Sequence, residues 1–155
     1  KKTDTIKILN QKYKIKVFEN ILDGSENFAL IKGKISPTKN IRVRVISSNL
    51  VQNYLMGKKF PDLFNKTIKY FKNLNNCVLV FIKDTNLKSV TQTLTAYKNL
   101  KGLKKSDQMI RNYGIGAQII KSLNIKNMIL VTRSPKKVVS LEGFGLKIIR
   151  QEIIK

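Results

Sequence analysis

A chain of 155 residues is long enough for one domain with its own hydrophobic core, and 42% apolar residues predict a folded protein. Its 31 Lys and Arg residues against 9 Asp and Glu give a formal net charge of +22, which predicts attraction to polyanions but does not bear on the fold. A single cysteine excludes an internal disulfide, and no apolar run approaches the roughly 20 residues that span a bilayer. We therefore expect a cytoplasmic protein that does not enter a membrane.

The N-terminal part of the chain has the residue pattern of β-strands. Residues 13–20 and 28–35 are rich in β-branched and aromatic side chains, and the Asp23-Gly24 dipeptide between them is typical of a tight turn. These segments therefore predict a hairpin. Residues 1–8, which begin without a methionine, are expected to be a linker that follows a preceding domain.

Further along the chain, the period of the apolar residues changes from that of a strand to that of a helix. Residues 41–48 alternate basic and apolar side chains, which predicts a half-exposed strand with Arg42 and Arg44 on one face. From Pro61 onward the apolar residues recur at helical spacing, with lysines on the other side. The remaining predicted elements are a buried strand at 77–82, helices at 87–100 and 114–123, a buried strand at 128–131 and a last strand at 145–154. Together they predict one α+β domain.

The segment 131–145, VTRSPKKVVSLEGFG, has the features of an anion site. Ser134 is predicted to be a helix N-cap and Pro135 the first helical residue, and one of two glycines ends the helix. The free amides of such a helix, the hydroxyls of Thr132 and Ser134 and the ammonium groups of Lys136 and Lys137 would together attract a phosphate. The alternative is a capped helix whose lysines only face solvent.

The segment from Arg111 to Ile149 contains the motifs RNYGIGAQ, TRSPKK and LEGFG in this order. With them it closely resembles the C-terminal part of GTP cyclohydrolase II, the enzyme that opens riboflavin biosynthesis. The family's Arg-Asp-Tyr-Gly-Ile-Gly-Ala-Gln is RNYGIGAQ here, its Thr-Asn-Asn-Pro-Lys-Lys is TRSPKK, and its Leu-Glu-Gly-Tyr-Gly is LEGFG. A weaker resemblance extends upstream through DGSENFALIKGKI and RVRVISSNL, so that most of the chain is covered. The resemblance implies a single domain over 1–155, with a mixed β-sheet and flanking helices.

The same resemblance implies that the catalytic metal is lost. Family members hold zinc with three cysteines, and zinc lowers the pKa of its bound water to about 7, which supplies the attacking hydroxide. Here Asn49 takes the place of the first cysteine, and the segment 56–64, where the other two would fall, has none. Cys77 lies in a predicted core strand and the chain has no histidine, so no substitute zinc site of Cys and His is expected. We expect no metal, no other cofactor and no cyclohydrolase activity.

Part of the family's phosphate-binding set is present in the sequence. The resemblance assigns six residues to the nucleotide's phosphates or to the border of their site: Arg44, Ser47, Tyr97, Arg111, Thr132 and Lys137. Arg111 matches the family arginine that attacks or holds the α-phosphate. Each of the six can also be purely structural, so binding of GTP or another phosphorylated metabolite is left open.

The leading interpretation is a catalytically degenerate GTP cyclohydrolase II-like domain with a structural or regulatory role. The resemblance implies a 3,4-dihydroxy-2-butanone 4-phosphate synthase domain in cis, which would carry the activity of the full-length protein, and a homodimer. Two alternatives stay open. The net charge allows nonspecific binding of nucleic acid or another polyanion. A zinc-independent nucleotide hydrolase would have to hold Mg²⁺ with Asp62, Asp84 or Asp107, which lack a convincing ligand spacing.

Overall fold

The computed structural model describes residues 2–48, 62–83, 91, 94, 106–135 and 139–154. Within these residues the fold is a seven-stranded mixed sheet with helices on both faces. The strands are β1 (Thr3–Ile8), β2 (Gln11–Glu19), β3 (Glu26–Lys32), β4 (Asn40–Ser48), β5 (Cys77–Lys83), β6 (Asn127–Thr132) and β7 (Lys147–Ile153). The helices are α1 (Leu63–Phe71), α2 (Ser106–Ser122) and α3 (Val139–Glu142). The predicted α+β class and mixed sheet are confirmed.

The strand order β1-β2-β3-β5-β4-β6-β7 combines an antiparallel half with a parallel half. Neighbouring strands are antiparallel in the half β1-β2-β3-β5 and parallel in the half β5-β4-β6-β7. The chain moves from β4 to β5 in one direction and then crosses back over β4 to reach β6. Because such crossovers are right-handed, opposite directions place their helices on opposite faces of the sheet.

The core accordingly lies in two layers, one on each face of the sheet. Ile68 and Phe71 of α1 pack into one layer, with Tyr13 and Leu30. The other layer holds the buried residues of α2 and α3, including Ile120. The continuous apolar run of β5 contributes to both layers, which confirms that it is a central strand buried on both faces.

Residues 3–8 form the edge strand β1, where the sequence predicted a linker. The strand pairs with β2 along its whole length, through a two-residue turn in which Leu9 and Asn10 have φ of +46° and +61°. Positive φ at both central residues is the conformation of a tight hairpin turn. The turn has no glycine, and only Ile6 and Ile8 of β1 are half-buried, so both usual signals of a hairpin are weak here.

β4 is a central strand, whereas the sequence predicted a half-exposed one. It lies between β5 and β6, and α1 packs on the face that carries its arginines. As a result, Arg44 is only 4% exposed and Arg42 is half-buried. The alternation of side chains was predicted correctly, but the covering of the basic face depends on a helix that follows later in the chain.

The predicted hairpin and the helices predicted after Pro61 and at 114–123 are confirmed. The β2–β3 hairpin turns at Gly24, and α1 begins after Asp62, whose carboxylate accepts a hydrogen bond from the Asn65 amide at 3.0 Å. Helix α2 ends at Ser122, and Asn124 then adopts a φ of +61°. The helix predicted at 87–100 lies outside the described residues, apart from two helical positions at 91 and 94.

The helix predicted to start at Pro135 is absent at that position. Ser134 and Pro135 are not helical, and α3 is described over Val139–Glu142. Gly145, with φ of +78°, follows the helix as predicted. Proline presets its own φ but is equally at home in a bend, so it did not specify a helix start. Residues 136–138 lie outside the described part of the chain, so the anion site predicted at the start of this helix stays a prediction.

Candidate phosphate-binding cavity

A cavity of about 530 Å³ opens where β4 and β6 separate. The two strands pair only from Asn40 to Val43 of β4, while β4 stays paired with β5 as far as Ser48. Beyond Val43 the strands leave a gap at their carboxyl ends, lined by residues 44–47, 130–134 and Leu63. Crossovers run in opposite directions on either side of this gap, and such switch points are where open parallel sheets bind ligands.

Arg44 supplies a buried positive charge to the cavity. Its side chain lies on the α1 face, and its Nη1 donates a hydrogen bond to the backbone oxygen of Val131 at 3.5 Å. A buried guanidinium is costly unless it is hydrogen-bonded or paired with an anion. Its long-range contact with β6 therefore fixes the charge next to the gap between the strands.

Thr132 supplies a buried hydroxyl to the same cavity. Its side chain is 6% exposed, and its Oγ1 has no hydrogen-bond partner among the described residues. Its backbone oxygen accepts a hydrogen bond from the Ile154 amide at 2.9 Å, which holds the end of β6 against the residue that follows β7. A buried hydroxyl without a partner costs about 1–3 kcal/mol, and a ligand oxygen in the cavity would satisfy it.

The structure brings together three of the six residues assigned from the sequence. Arg44, Ser47 and Thr132 all line the cavity. Arg111 lies in α2, five residues before Gly116, whose Cα faces Val45 of β4, but its side chain is not among those described. The other two, Tyr97 and Lys137, lie outside the described residues.

Sequence reasoning did not include Arg133 and Leu63 in the site. Arg133 is exposed at the rim and follows directly after β6, and Leu63 is the first residue of α1. Adjacency to Thr132 was a usable signal for Arg133. No local signal could have found Leu63, because it reaches the cavity only through the packing of α1 on the sheet.

An ion-paired cluster lies beside the cavity and distinguishes the two arginines of β4. Glu152 of β7 accepts hydrogen bonds from Arg42 at 2.9 and 3.0 Å, from Arg150 at 2.9 Å and from the Tyr70 hydroxyl. These hydrogen bonds, that of Arg42 first, lower the pKa of Glu152 from 4.5 to about 2. Glu152 therefore balances the charge of Arg42, whereas Arg44 lines the cavity.

The residues present do not fit the zinc ion that the family resemblance implies. Cys77 is the first residue of β5 and pairs with Arg42, whereas Lys83, at the end of the strand beside the cavity, lies about 20 Å further along. Burial raises the pKa of the Cys77 thiol to about 12, and zinc binds the thiolate. Among the described residues, no group of three or more His, Cys, Asp or Glu is placed to hold a metal ion. Asn49 and residues 56–61 lie outside them.

The acidic residues named for a magnesium-dependent hydrolase do not gather at the cavity in the described part of the chain. The Asp62 carboxylate caps α1 through the Asn65 amide. Asp84 lies outside the described residues, and the side chain of Asp107 is not described.

Residues 2–153 match the family model of GTP cyclohydrolase II. The chain belongs to this family. The relatives confirm the expected link with riboflavin biosynthesis proteins. The RibBA protein of Aquifex aeolicus (strain VF5) is 29% identical over 157 residues, which cover 92% of this chain and 38% of the relative. The bifunctional chloroplastic RIBA 1 of Arabidopsis thaliana is 32% identical over 147 residues, with coverage of 85% and 27%.

This family member spans well under half the length of these relatives. One solved structure is covered to a similar extent. RibBX of A. baumannii, a two-domain 3,4-dihydroxy-2-butanone 4-phosphate synthase, aligns with 99% of this chain, and the aligned part is 39% of the RibBX chain. The TM-score is 0.55 at 22% identity, so this likeness shows the shared fold. No helix in the described part of the chain is long and apolar enough to cross a membrane.

Proposed function

We propose that this member of the GTP cyclohydrolase II family has lost the cyclohydrolase activity and keeps a cavity that binds a phosphorylated metabolite. One observation carries the proposal. Arg44 and Thr132 both line the cavity at the carboxyl ends of the parallel strands, whereas Cys77, the single cysteine of the chain, is buried at the opposite end of β5. The part that would hold phosphate is thus separated from the atom that would have to hold zinc.

The chemistry of the cavity suits an anion that is held rather than hydrolysed. The described lining offers two guanidinium groups, from Arg44 and Arg133, and three hydroxyls, from Ser47, Thr132 and Ser134. These groups can donate hydrogen bonds to phosphate oxygens. No carboxylate, imidazole or thiol that could act as a base is part of that described lining. A volume of about 530 Å³ lies within the range of small-molecule sites.

The role that follows is regulatory or structural within a larger riboflavin-biosynthesis protein. A preceding 3,4-dihydroxy-2-butanone 4-phosphate synthase domain carries the activity, and this domain senses GTP or a related phosphorylated metabolite as a homodimer. RibBX has two domains and is named as a synthase, and this supports the proposed arrangement. So does the small share of each relative that the chain covers.

The decisive test of lost catalysis is formate release from GTP in the presence of added zinc. We expect no turnover above the rate of a protein-free control, because the sequence has one cysteine and no histidine with which to hold zinc. Sustained formate release that a zinc chelator abolishes would refute the proposal.

Binding is tested by calorimetric titration of GTP at low and at physiological salt. We expect saturable binding that persists in salt, is lost in Arg111→Ala and Lys137→Ala, and is unchanged in Lys121→Ala. The Lys121 control removes the same charge from an exposed position of α2. Binding that vanishes with salt and responds equally to all three variants would leave the domain with a structural role alone.

A further inference from the structure

Four lysines form a continuous basic surface on the outer part of the sheet, hereafter the lysine face: Lys7, Lys12, Lys14 and Lys16. The last three occupy alternate positions of β2 and therefore point to one side of the sheet. Lys7 of β1 is directly opposite Lys12, so it points to the same side. The Nζ of Lys16 lies 5.6 Å from the ring centroid of Phe18, which confirms this orientation.

The acidic side chains of these strands point to the other side of the sheet. Asp4 pairs with Ile15, and Glu19 pairs with Glu26, all at positions that alternate with those of the lysines. None of the four lysines forms an ion pair with another described residue. Like charges directly opposite one another destabilise a strand pair, as for Lys7 and Lys12. The strands thus keep a cluster of mutually repelling positive charges on one side, and their acidic residues, on the other side, do not neutralise it.

The lysine face is separate from the phosphate-binding cavity. It lies on the side of the sheet that carries Phe18 and Ala29, which belong to the core layer under α2. Arg44 of the cavity lies on the α1 side, beyond β3 and β5 in the strand order. An occupant of the lysine face therefore does not compete with a ligand in the cavity.

The spacing of the lysines suits a uniformly charged polymer. Along β2 the Cα atoms of the three lysines recur about every 6.8 Å, over a span of about 14 Å. A protein surface carries mixed charges, so a one-sign row without acids matches it less well than a phosphate backbone does. The aromatic and aliphatic residues of β2 and β3 on this side, Phe18, Ala29 and Ile31, are buried or half-buried, so these strands offer no exposed ring on which a base could stack. The exposed apolar residues of this region lie in the turns, at Leu9, Ile21 and Leu22.

We propose that the lysine face binds the phosphate backbone of single-stranded nucleic acid without reading its sequence. Lysine contacts go to phosphates and carry no sequence information, and the three lysines along β2 form a single row that can follow one backbone. Four phosphate contacts give a salt slope of about −2.8 on a single strand, so raising salt fourfold weakens binding about 50-fold. Loss of two contacts halves the slope and reduces this factor to about 7.

The test measures fluorescence anisotropy of a labelled oligouridylate of about 12 nucleotides between about 50 and 200 mM salt. The double variant Lys12→Gln/Lys14→Gln is compared with Lys66→Gln/Lys69→Gln, which removes the same charge from two exposed positions of α1. We expect the first pair to weaken binding at least about tenfold at the lower salt and to halve the slope, and the second pair to change neither. Circular dichroism of both variants checks that the fold is kept.

Equal weakening by the two pairs would overturn the proposal, since binding would then follow net charge and not the lysine face. So would tighter binding to vesicles of anionic phospholipid than to the oligonucleotide, which would assign the surface to a membrane. Binding of the oligonucleotide that GTP displaces would also overturn it, because the occupied site would then be the cavity.

Discussion

Glu152 is the residue whose replacement should reveal most about how the parallel half of the sheet is held. Its carboxylate receives two hydrogen bonds from Arg42, two strands away across β6, as well as bonds from Arg150 and Tyr70. Replacement of Glu152 by Gln keeps the volume of the side chain and removes its charge. The guanidinium of Arg42, 30% exposed, then loses its ion-pair partner.

The size of the effect follows from the pKa of Glu152, which falls from 4.5 to about 2 on folding. A carboxylate with a lowered pKa stabilises the fold above its unfolded pKa, and the contribution disappears as the pH falls towards the folded pKa. By linkage, the ionised Glu152 contributes at most about 3.4 kcal/mol to the free energy of unfolding at pH 7 and about 1.4 kcal/mol at pH 3. Because the side chain is 20% exposed, solvent screens the interaction, and we expect about 2–3 kcal/mol at pH 7.

The assay is urea unfolding of wild type and Glu152→Gln at pH 7 and pH 3 in the same salt. Glu142→Gln, which replaces an exposed glutamate of α3, serves as the control and should lie within about 0.5 kcal/mol of wild type. The difference between wild type and Glu152→Gln should shrink by about half or more at pH 3. A difference below about 0.5 kcal/mol at pH 7, or one that is the same at both pH values, would refute the reasoning.

Three further predictions follow from single positions. Gly33→Ala should lower the free energy of unfolding by at least about 3 kcal/mol, because φ is +75° and a Cβ would lie 2.0 Å from the Asn75 oxygen; Gly24→Ala, with φ of +67° in open space, should cost only about 1 kcal/mol. Both are measured by urea unfolding, and equal losses would contradict the steric argument. Cys77, with a pKa raised to about 12, should react with a thiol reagent at pH 8 only after denaturation; labelling of the folded protein would contradict its burial. Thr132→Val should keep or slightly raise stability while weakening GTP binding about tenfold by calorimetry, and unchanged binding would remove the hydroxyl from the site.

Local patterns were sufficient where a residue's environment depends on its near neighbours. The apolar run at 77–82 predicted a strand buried on both faces, and the helical period after Pro61 predicted α1 with its buried Ile68 and Phe71. These two predictions were correct because burial on one or two faces repeats with the period of the element itself. Ser134 and Pro135 failed as a helix start because caps and bends use the same residues.

The candidate site was only partly predictable. The resemblance to the GTP cyclohydrolase II family identified Arg44, Ser47 and Thr132 as site residues, and the fold brings these three together at one cavity. It could not explain why a cavity exists at that point. The reason is that β4 and β6 stop pairing after Val43 and Leu130, which lie 87 positions apart in the chain.

The sequence by itself determined the period of most elements, the family of the chain and the absence of any cysteine or histidine in the expected zinc positions. The tertiary structure decided that Arg42 pairs with Glu152, which lies 110 positions away in the chain, and that Arg44 lines the cavity. It also decided that the charges of β1 and β2 separate by face, because that depends on the register of the two strands. Local periodicity reports how a segment is buried, whereas a site is made by segments that meet only after the chain has folded.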